Sequence, residues 1–242
     1  MAPLTFSPRP KVFRTPAWAR YFSLVGTLAI GAIAALMLGV TVFSLFESAW
    51  GLAALAAALA WLMAALTGYV LRDLKGKWSL RVELGPHAVR LDLPAGRSLI
   101  HRPAAVHRTI PYGDIAAIES RLEAYGTIGM EIMQRAYVLR HKDGELIFLF
   151  EDRALATSFD VSMFPQIAAD LAARAHLAVR ELGMVEGKGG VLAVWGTEAP
   201  AWSAPSLPLA RQIRLWRHSA LTGMAAVGIT IFALILRFIV GP

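Results

Sequence analysis

Three long apolar stretches constrain most strongly what this chain can fold into. They cover about residues 22–46, 51–71 and 220–240. Each reaches the ~20 residues that a helix needs to cross a hydrocarbon core. None of them contains an acid, a lysine or a histidine, and Arg237 is near the end of the third. The sequence therefore predicts three transmembrane helices, the first two forming a hairpin.

The basic excess lies beside these stretches. The net charge is +7, yet residues 73–210 hold 15 basic and 16 acidic side chains and are close to neutral. A nucleic-acid-binding protein would carry its charge on a face of the folded domain, so we expect no nucleic-acid partner. The charges that flank the apolar stretches are Arg9, Lys11, Arg14, Arg20, Arg72, Arg211, Arg214 and Arg217.

This charge distribution also predicts an orientation. Basic residues precede the first stretch, follow the second and precede the third, whereas the short connection at residues 47–50 has none. The positive-inside rule then places the N-terminus and the region between the second and third helices in the cytoplasm. The Ala- and Arg-rich composition favours a bacterium. The prediction is a multi-pass inner-membrane protein with a periplasmic C-terminus.

Small residues recur at four-residue spacing within the first two stretches, a pattern that lets helix backbones approach closely in a membrane. One interpretation is that the two helices pack on each other, and the other is that a stripe faces another subunit. The candidate packing residues are Gly31, Ala35, Gly39, Ala60, Ala64 and Gly68.

The region between the second and third stretches has the pattern of a β domain. Apolar and polar residues alternate over 80–84 and 89–93, and Asp143-Gly144 between two apolar runs is a hairpin signal. An amphipathic helix follows at about 162–177, with Ser162 as its N-cap. The predicted segments are a basic N-terminal segment (1–20), the hairpin (21–72), the β domain (73–186), a Gly/Pro-rich linker (187–208), an amphipathic juxtamembrane segment (209–219) and the third helix (220–240).

Three tryptophans stand out after the β domain. Trp195 and Trp202 are unusual in a solvated linker, so we expect them to dock on the β domain, on the membrane surface or on a partner protein. Trp216 belongs to the juxtamembrane segment, whose arginines lie on another face. Such a segment is typical of a helix lying on anionic headgroups.

The sequence contains no recognisable catalytic or metal-binding pattern. There is no cysteine, no histidine pair with helical zinc-site spacing, and no nucleotide-binding glycine motif. We therefore predict no catalytic residue, no cofactor and no metal site. One basic cluster could instead contact phospholipid headgroups, contact an acidic partner, or simply be a solvated loop. It consists of Arg97, His101, Arg102, His107 and Arg108.

The strand pair at 78–93, the segment Thr109-Ile-Pro-Tyr-Gly-Asp-Ile-Ala-Ala-Ile118 and the hairpin at 137–151 resemble the bacterial pleckstrin-homology-like membrane proteins of uncharacterised function. The resemblance implies a cytoplasmic β-sandwich or barrel capped by one C-terminal helix. It also implies a scaffold, adaptor or lipid-proximal role.

The sequence thus favours a non-catalytic accessory or assembly subunit of a larger membrane complex, with lipids and a membrane protein as partners. The alternatives are an anionic-lipid-sensing module and an enzyme of unrecognised type.

Overall fold

The structure is a computed structural model that describes residues 10–98, 100–127, 130–152, 162–189 and 198–240. It divides into two compact units, which meet in the chain between Pro111 and Tyr112. The elements of the first unit are β1 (Lys11–Arg14), α1 (Ala17–Phe46), α2 (Trp50–Ser79), β2 (Arg81–Leu84), β3 (Ala88–Leu93) and β4 (Val106–Pro111). Those of the second are β5 (Ile115–Thr127), β6 (Met130–His141), β7 (Leu146–Asp152), α3 (Phe164–Arg174), β8 (Val179–Gly187) and α4 (Leu209–Val240).

Helices α1 and α2 form an antiparallel hairpin in the first unit. Each has 30 residues and is long and apolar enough to cross a membrane. Only 6% and 11% of their most apolar windows are buried, which is unlike the core helix of a soluble protein.

Small and hydroxyl-bearing residues form the contact between these two helices. Thr27 on α1 and Ala56 on α2 are buried, and a Cβ at Gly31 would contact Thr67 across the hairpin at 3.7 Å. By contrast, a Cβ at Gly39 or Gly68 would have no neighbour within 4 Å. The predicted stripes thus lie partly between the helices and partly on the outside of the hairpin.

The strands on either side of the hairpin, β1 and β2, belong to one sheet. Its strand order is β1-β2-β3-β4, with every neighbouring pair antiparallel. Alternation places apolar side chains on one face, including Phe13, Val82 and Leu91, and polar ones on the other. Strand β1 directly precedes α1, and β2 directly follows α2, so their pairing joins the open end of the hairpin.

A second sheet organises the other unit, in the order β7-β6-β5-β8. Strands β5, β6 and β7 are antiparallel neighbours, and β8 runs parallel to β5 after α3. Helix α3 packs through Ile167 and Leu171, and the ring of Phe164 stacks on Phe150 with centroids 4.5 Å apart.

The predicted start of α3 at Ser162 is wrong by one residue. The helix begins at Phe164, and Met163 occupies the N-cap position. The Ser162 hydroxyl still accepts a hydrogen bond from the Phe164 N–H at 3.3 Å. Ser162 therefore caps the helix from the position before the N-cap.

Helix α4 begins close to the second sheet. Leu215 on its second turn is buried and forms a small apolar cluster with Ala124, Met133 and Met184. The Arg211 guanidinium makes a paired contact with Glu186 on β8, the shorter bond being 2.7 Å. The start of this helix is therefore fixed to the β5–β6–β8 part of the sheet.

Candidate functional site

The basic cluster that the sequence singled out does not share one surface. Arg97 is 9% exposed, and its Nη1 atom donates to the carbonyls of Pro94 and Ala104 at 2.8 and 2.7 Å. Burial lowers the pKa of Arg97 to about 10, so the side chain stays charged at neutral pH. Arg97 organises the loop between β3 and β4 and does not project from it.

The other members of the cluster diverge. His107 and Arg108 are consecutive residues of β4, so their side chains point to opposite faces of the sheet. His107 lies opposite Asp92, with Nδ1 3.4 Å from a carboxylate oxygen. Ser98 accepts a hydrogen bond from the backbone N–H of His101, which closes the loop that also carries Arg102.

Small residues on the outside of the hairpin border an apolar cleft of about 400 Å³. It lies midway along both helices, where alanines leave a depression between them. Trp61 borders this depression, and its side chain is 65% exposed. The lining residues are Ala34, Ala35, Leu38, Ala57, Ala60, Trp61 and Ala64.

A basic pocket of about 260 Å³ lies at the open end of the hairpin, where β1 leads into α1 and α2 leads into β2. Four cationic side chains line it, together with Trp78 and backbone from both junctions. The cations are Arg14, Arg20, Lys77 and Arg81.

Two of these cations are direct neighbours across strands. Arg14 and Arg81 are register partners in the β1–β2 pair, an arrangement that is unfavourable for like charges. Arg81 donates to Glu83 at 2.7 Å, and Lys77 pairs with Asp73 at 2.6 Å. Within the described ranges, neither Arg14 nor Arg20 has a carboxylate within 4 Å.

Aromatic rings support the same pocket. The guanidinium carbon of Arg20 lies 5.2 Å from the ring centroid of Trp78, and Tyr21 meets Trp78 edge to face at 5.9 Å. The Nε atoms of Arg20 and Arg81 are buried and have no hydrogen-bond partner among the described residues. The sequence predicts Arg14 and Arg20 beside the first apolar stretch and Arg81 in a strand, but it does not predict the pocket, because β1 has no recognisable pattern.

The second unit carries a buried polar network on one face of its sheet. Arg121 on β5 is 2% exposed, and its Nε donates to Glu123 at 2.8 Å. The hydroxyl of Tyr125 and the amide of Gln134 donate to the same carboxylate at 2.8 and 3.0 Å. Burial, followed by the Glu123 charge and its hydrogen bond, raises the pKa of Tyr125, so the phenol stays protonated.

This network holds a segment that we call the strap, residues 198–208. Arg121 donates to the carbonyls of Pro200 and Ala201 at 2.8 and 2.7 Å, and its guanidinium carbon lies 4.1 Å from the ring centroid of Trp202. Leu207 then donates its backbone N–H to Met184 on β8 at 2.7 Å. The strap is thus fixed to the sheet at two points.

Trp202 completes the attachment through Glu119, whose carboxylate is buried. The indole N–H donates to Glu119 at 2.7 Å, and Arg140 donates to both carboxylate oxygens of Glu119. Burial would raise the pKa of Glu119, but the hydrogen bonds from Arg140 and Trp202 outweigh it and lower the pKa.

The two other tryptophans differ from Trp202. Trp195 lies outside the described residues. Trp216 is 38% exposed on α4, whereas its neighbour Leu215 is the residue that packs on the sheet. Leu209 and Ile213 are also exposed and lie on the same side of α4 as Trp216, so an apolar stripe is left uncovered within the described part of this unit.

No group of three or more potential metal ligands occurs among the residues that the structure describes. The buried carboxylates of Glu119 and Glu123 accept hydrogen bonds from Arg140, Trp202 and Arg121, an arrangement that suits a structural connection. Comparison of the chain with protein-family models, with curated proteins and with solved structures finds no match.

Proposed function

We propose that this chain is a non-catalytic accessory or assembly subunit of a larger membrane complex. The observation that carries the proposal is the cleft on the outside of the α1–α2 hairpin. Its partner is a transmembrane helix of another protein, which lies against the alanines of this cleft.

The shape and chemistry of the cleft support a helix as its occupant. Hydrophobic burial does not drive helix association in lipid, so close backbone packing on small residues supplies much of the attraction. Ala57 and Ala64 on α2 face the same depression as Ala34 and Ala35 on α1. A helix lying there would pack closely against the backbone over about two turns of α2 and a little more than one turn of α1.

The proposed orientation, helix α4 and the β-rich region are also consistent with an adaptor role. In the proposed arrangement the N-terminus and both sheets are cytoplasmic, because positive charges flank the open end of the hairpin and residues 47–50 lack them. Helix α4 is the third transmembrane helix, and the C-terminus is periplasmic in a bacterial inner membrane. The β-rich region acts as a pleckstrin-homology-like interaction domain.

The proposed contact at the cleft can be tested by filling the cleft with a larger side chain. The full-length tagged protein carrying Ala64→Leu is extracted gently from native membranes, and the proteins that co-purify are quantified by mass spectrometry. Ala58→Leu is the matched control, since residue 58 lies on α2, is exposed, and does not line the cleft.

We expect an integral membrane protein to co-purify in stoichiometric amount with the wild type and with Ala58→Leu, and to be lost with Ala64→Leu. Overpacking a close contact by one leucine costs about 1–3 kcal/mol, enough to reduce occupancy strongly. Purification of the wild type with no stable membrane partner would disprove the accessory role. Equal recovery with both leucine variants would disprove the cleft as the contact.

A further inference from the structure

The basic pocket at the open end of the hairpin is incompletely neutralised as it stands. Arg14 and Arg81 face each other across the β1–β2 pair, and Arg20 and Lys77 line the same pocket. Glu83 and Asp73 offset two of the four charges, through Arg81 and Lys77. Two positive charges therefore have no counter-charge from the described residues.

The four cationic side chains line one partly open pocket. The pocket is about 260 Å³, whereas one water occupies roughly 30 Å³ in the liquid. It can hold an oxyanion together with several waters. Arg14, Arg20 and Arg81 line this pocket, and arginine presents its donors in a fork that matches the geometry of a phosphate.

We infer that this pocket binds a phosphate group, through Arg14, Arg20 and Arg81. A phosphate between Arg14 and Arg81 would replace their repulsion with two charge-assisted interactions. The pocket lies where both apolar helices end, beside Tyr21 and Trp78, whose amphipathic rings prefer the membrane interface. That position favours the headgroup phosphate of an anionic phospholipid, and a soluble phosphate offers the same chemistry.

The test uses the full-length protein in a neutral detergent. Native mass spectrometry measures binding of phosphatidylglycerol and of phosphatidylcholine, and thermal unfolding measures stabilisation by inorganic phosphate. The pocket variant is Arg14→Gln with Arg20→Gln. The control removes the same charge from the β3–β4 region, with Arg102→Gln and Arg108→Gln, and so compares the pocket with the other basic cluster.

The wild type and the control should bind phosphatidylglycerol in preference to phosphatidylcholine. The pocket variant should lose about tenfold in affinity or more, as expected for removing hydrogen bonds to a charged group. If inorganic phosphate alone stabilises the wild type and this effect is lost in the pocket variant, the ligand is a soluble phosphate, and the site still stands.

Thermal unfolding without ligand checks that the pocket variant folds cooperatively, and the single variant Arg14→Gln is measured beside it. Without any anion, Arg14→Gln alone should unfold at the same or a higher temperature than the wild type, because it removes a like-charge pair. Unchanged phosphatidylglycerol and phosphate binding in the pocket variant would overturn the inference. Loss of binding in the control variant alone would also overturn it.

Discussion

Arg121 is a large cation placed where the second unit has almost no solvent. Its guanidinium is satisfied by one carboxylate, two backbone carbonyls and one aromatic face. A buried charge is tolerated only when its donors are paired in this way. The same residue therefore explains both the polar face of the sheet and the position of the strap.

Replacing Arg121 with alanine should destabilise the second unit by about 3–5 kcal/mol, because it leaves the buried Glu123 carboxylate without its cation. It should also make the strap accessible to protease at residues 198–208. Arg180→Ala is the matched control, since its side chain is 68% exposed and lies 3.9 Å from Glu119. Thermal unfolding and limited proteolysis of the full-length protein measure both effects. Equal stability of the two variants would contradict the role given to Arg121.

Glu119 makes the attachment of the strap dependent on pH. Its folded-state pKa lies below its unfolded-state value, so its contribution is complete above the unfolded pKa of about 4.3 and is lost as pH falls through the folded pKa. We expect the melting temperature of the wild type to fall below about pH 4. Glu119→Gln should melt lower at pH 7 and show a shallower acid dependence. Parallel curves for the two proteins would exclude Glu119 as a source of the acid sensitivity.

Two glycines let α2 contact the turn after β3. A Cβ on Gly76 would lie 2.9 Å from the Gly96 carbonyl oxygen, and a Cβ on Gly96 would lie 2.7 Å from that of Arg72. Backbone atoms cannot move aside as side chains can. The end of α2 and the turn at residues 94–97 are therefore packed too closely to admit a Cβ at either glycine.

Gly76→Ala should destabilise the first unit by about 1–3 kcal/mol through overpacking, despite the better helix propensity of alanine. Gly68→Ala lies on the same helix with no neighbour within 4 Å of its Cβ, and it should be neutral or slightly stabilising. Melting temperatures of the two variants in detergent provide the comparison. A stabilised Gly76→Ala would mean that this contact is looser than the structure shows.

The elements differ in how far the sequence predicts them. Composition alone locates α1 and α2, because twenty or more apolar residues leave few alternatives, and Asp143-Gly144 lies at the β6–β7 turn with Gly144 at φ +94°. Strand β1 was missed because four residues with one buried side chain, Phe13, show too little alternation. Strand β8 was missed because its pairing with β5 is formed only after α3 returns the chain to the sheet.

The candidate sites also depend on contacts that a local sequence pattern does not predict. Sequence proximity suggested that Arg97 to Arg108 form one cluster, but Arg97 is buried and consecutive strand residues face opposite sides. The pocket formed by Arg14, Arg20 and Arg81 depends on β1 pairing with β2 across the whole hairpin. No local pattern can reveal contacts between residues more than sixty positions apart.

The absence of cysteine makes the orientation of the protein in the membrane directly testable. Glu47→Cys lies at the turn of the hairpin, and Lys142→Cys lies at the β6–β7 turn, both at exposed positions. In spheroplasts, whose outer membrane is removed and whose inner membrane is intact, a membrane-impermeant maleimide should label position 47 and not position 142. After lysis it should label both. Labelling of position 142 alone in spheroplasts would reverse the proposed topology.

The most direct test of the accessory role is photo-crosslinking from the cleft in native membranes. Trp61→p-azidophenylalanine places a reactive aromatic ring where an aromatic ring already borders the cleft, and Leu55→p-azidophenylalanine places the same group on the far side of α2. We expect position 61 to crosslink to one discrete membrane protein and position 55 to crosslink to none. Crosslinks to lipid alone at both positions would contradict a partner helix in the cleft.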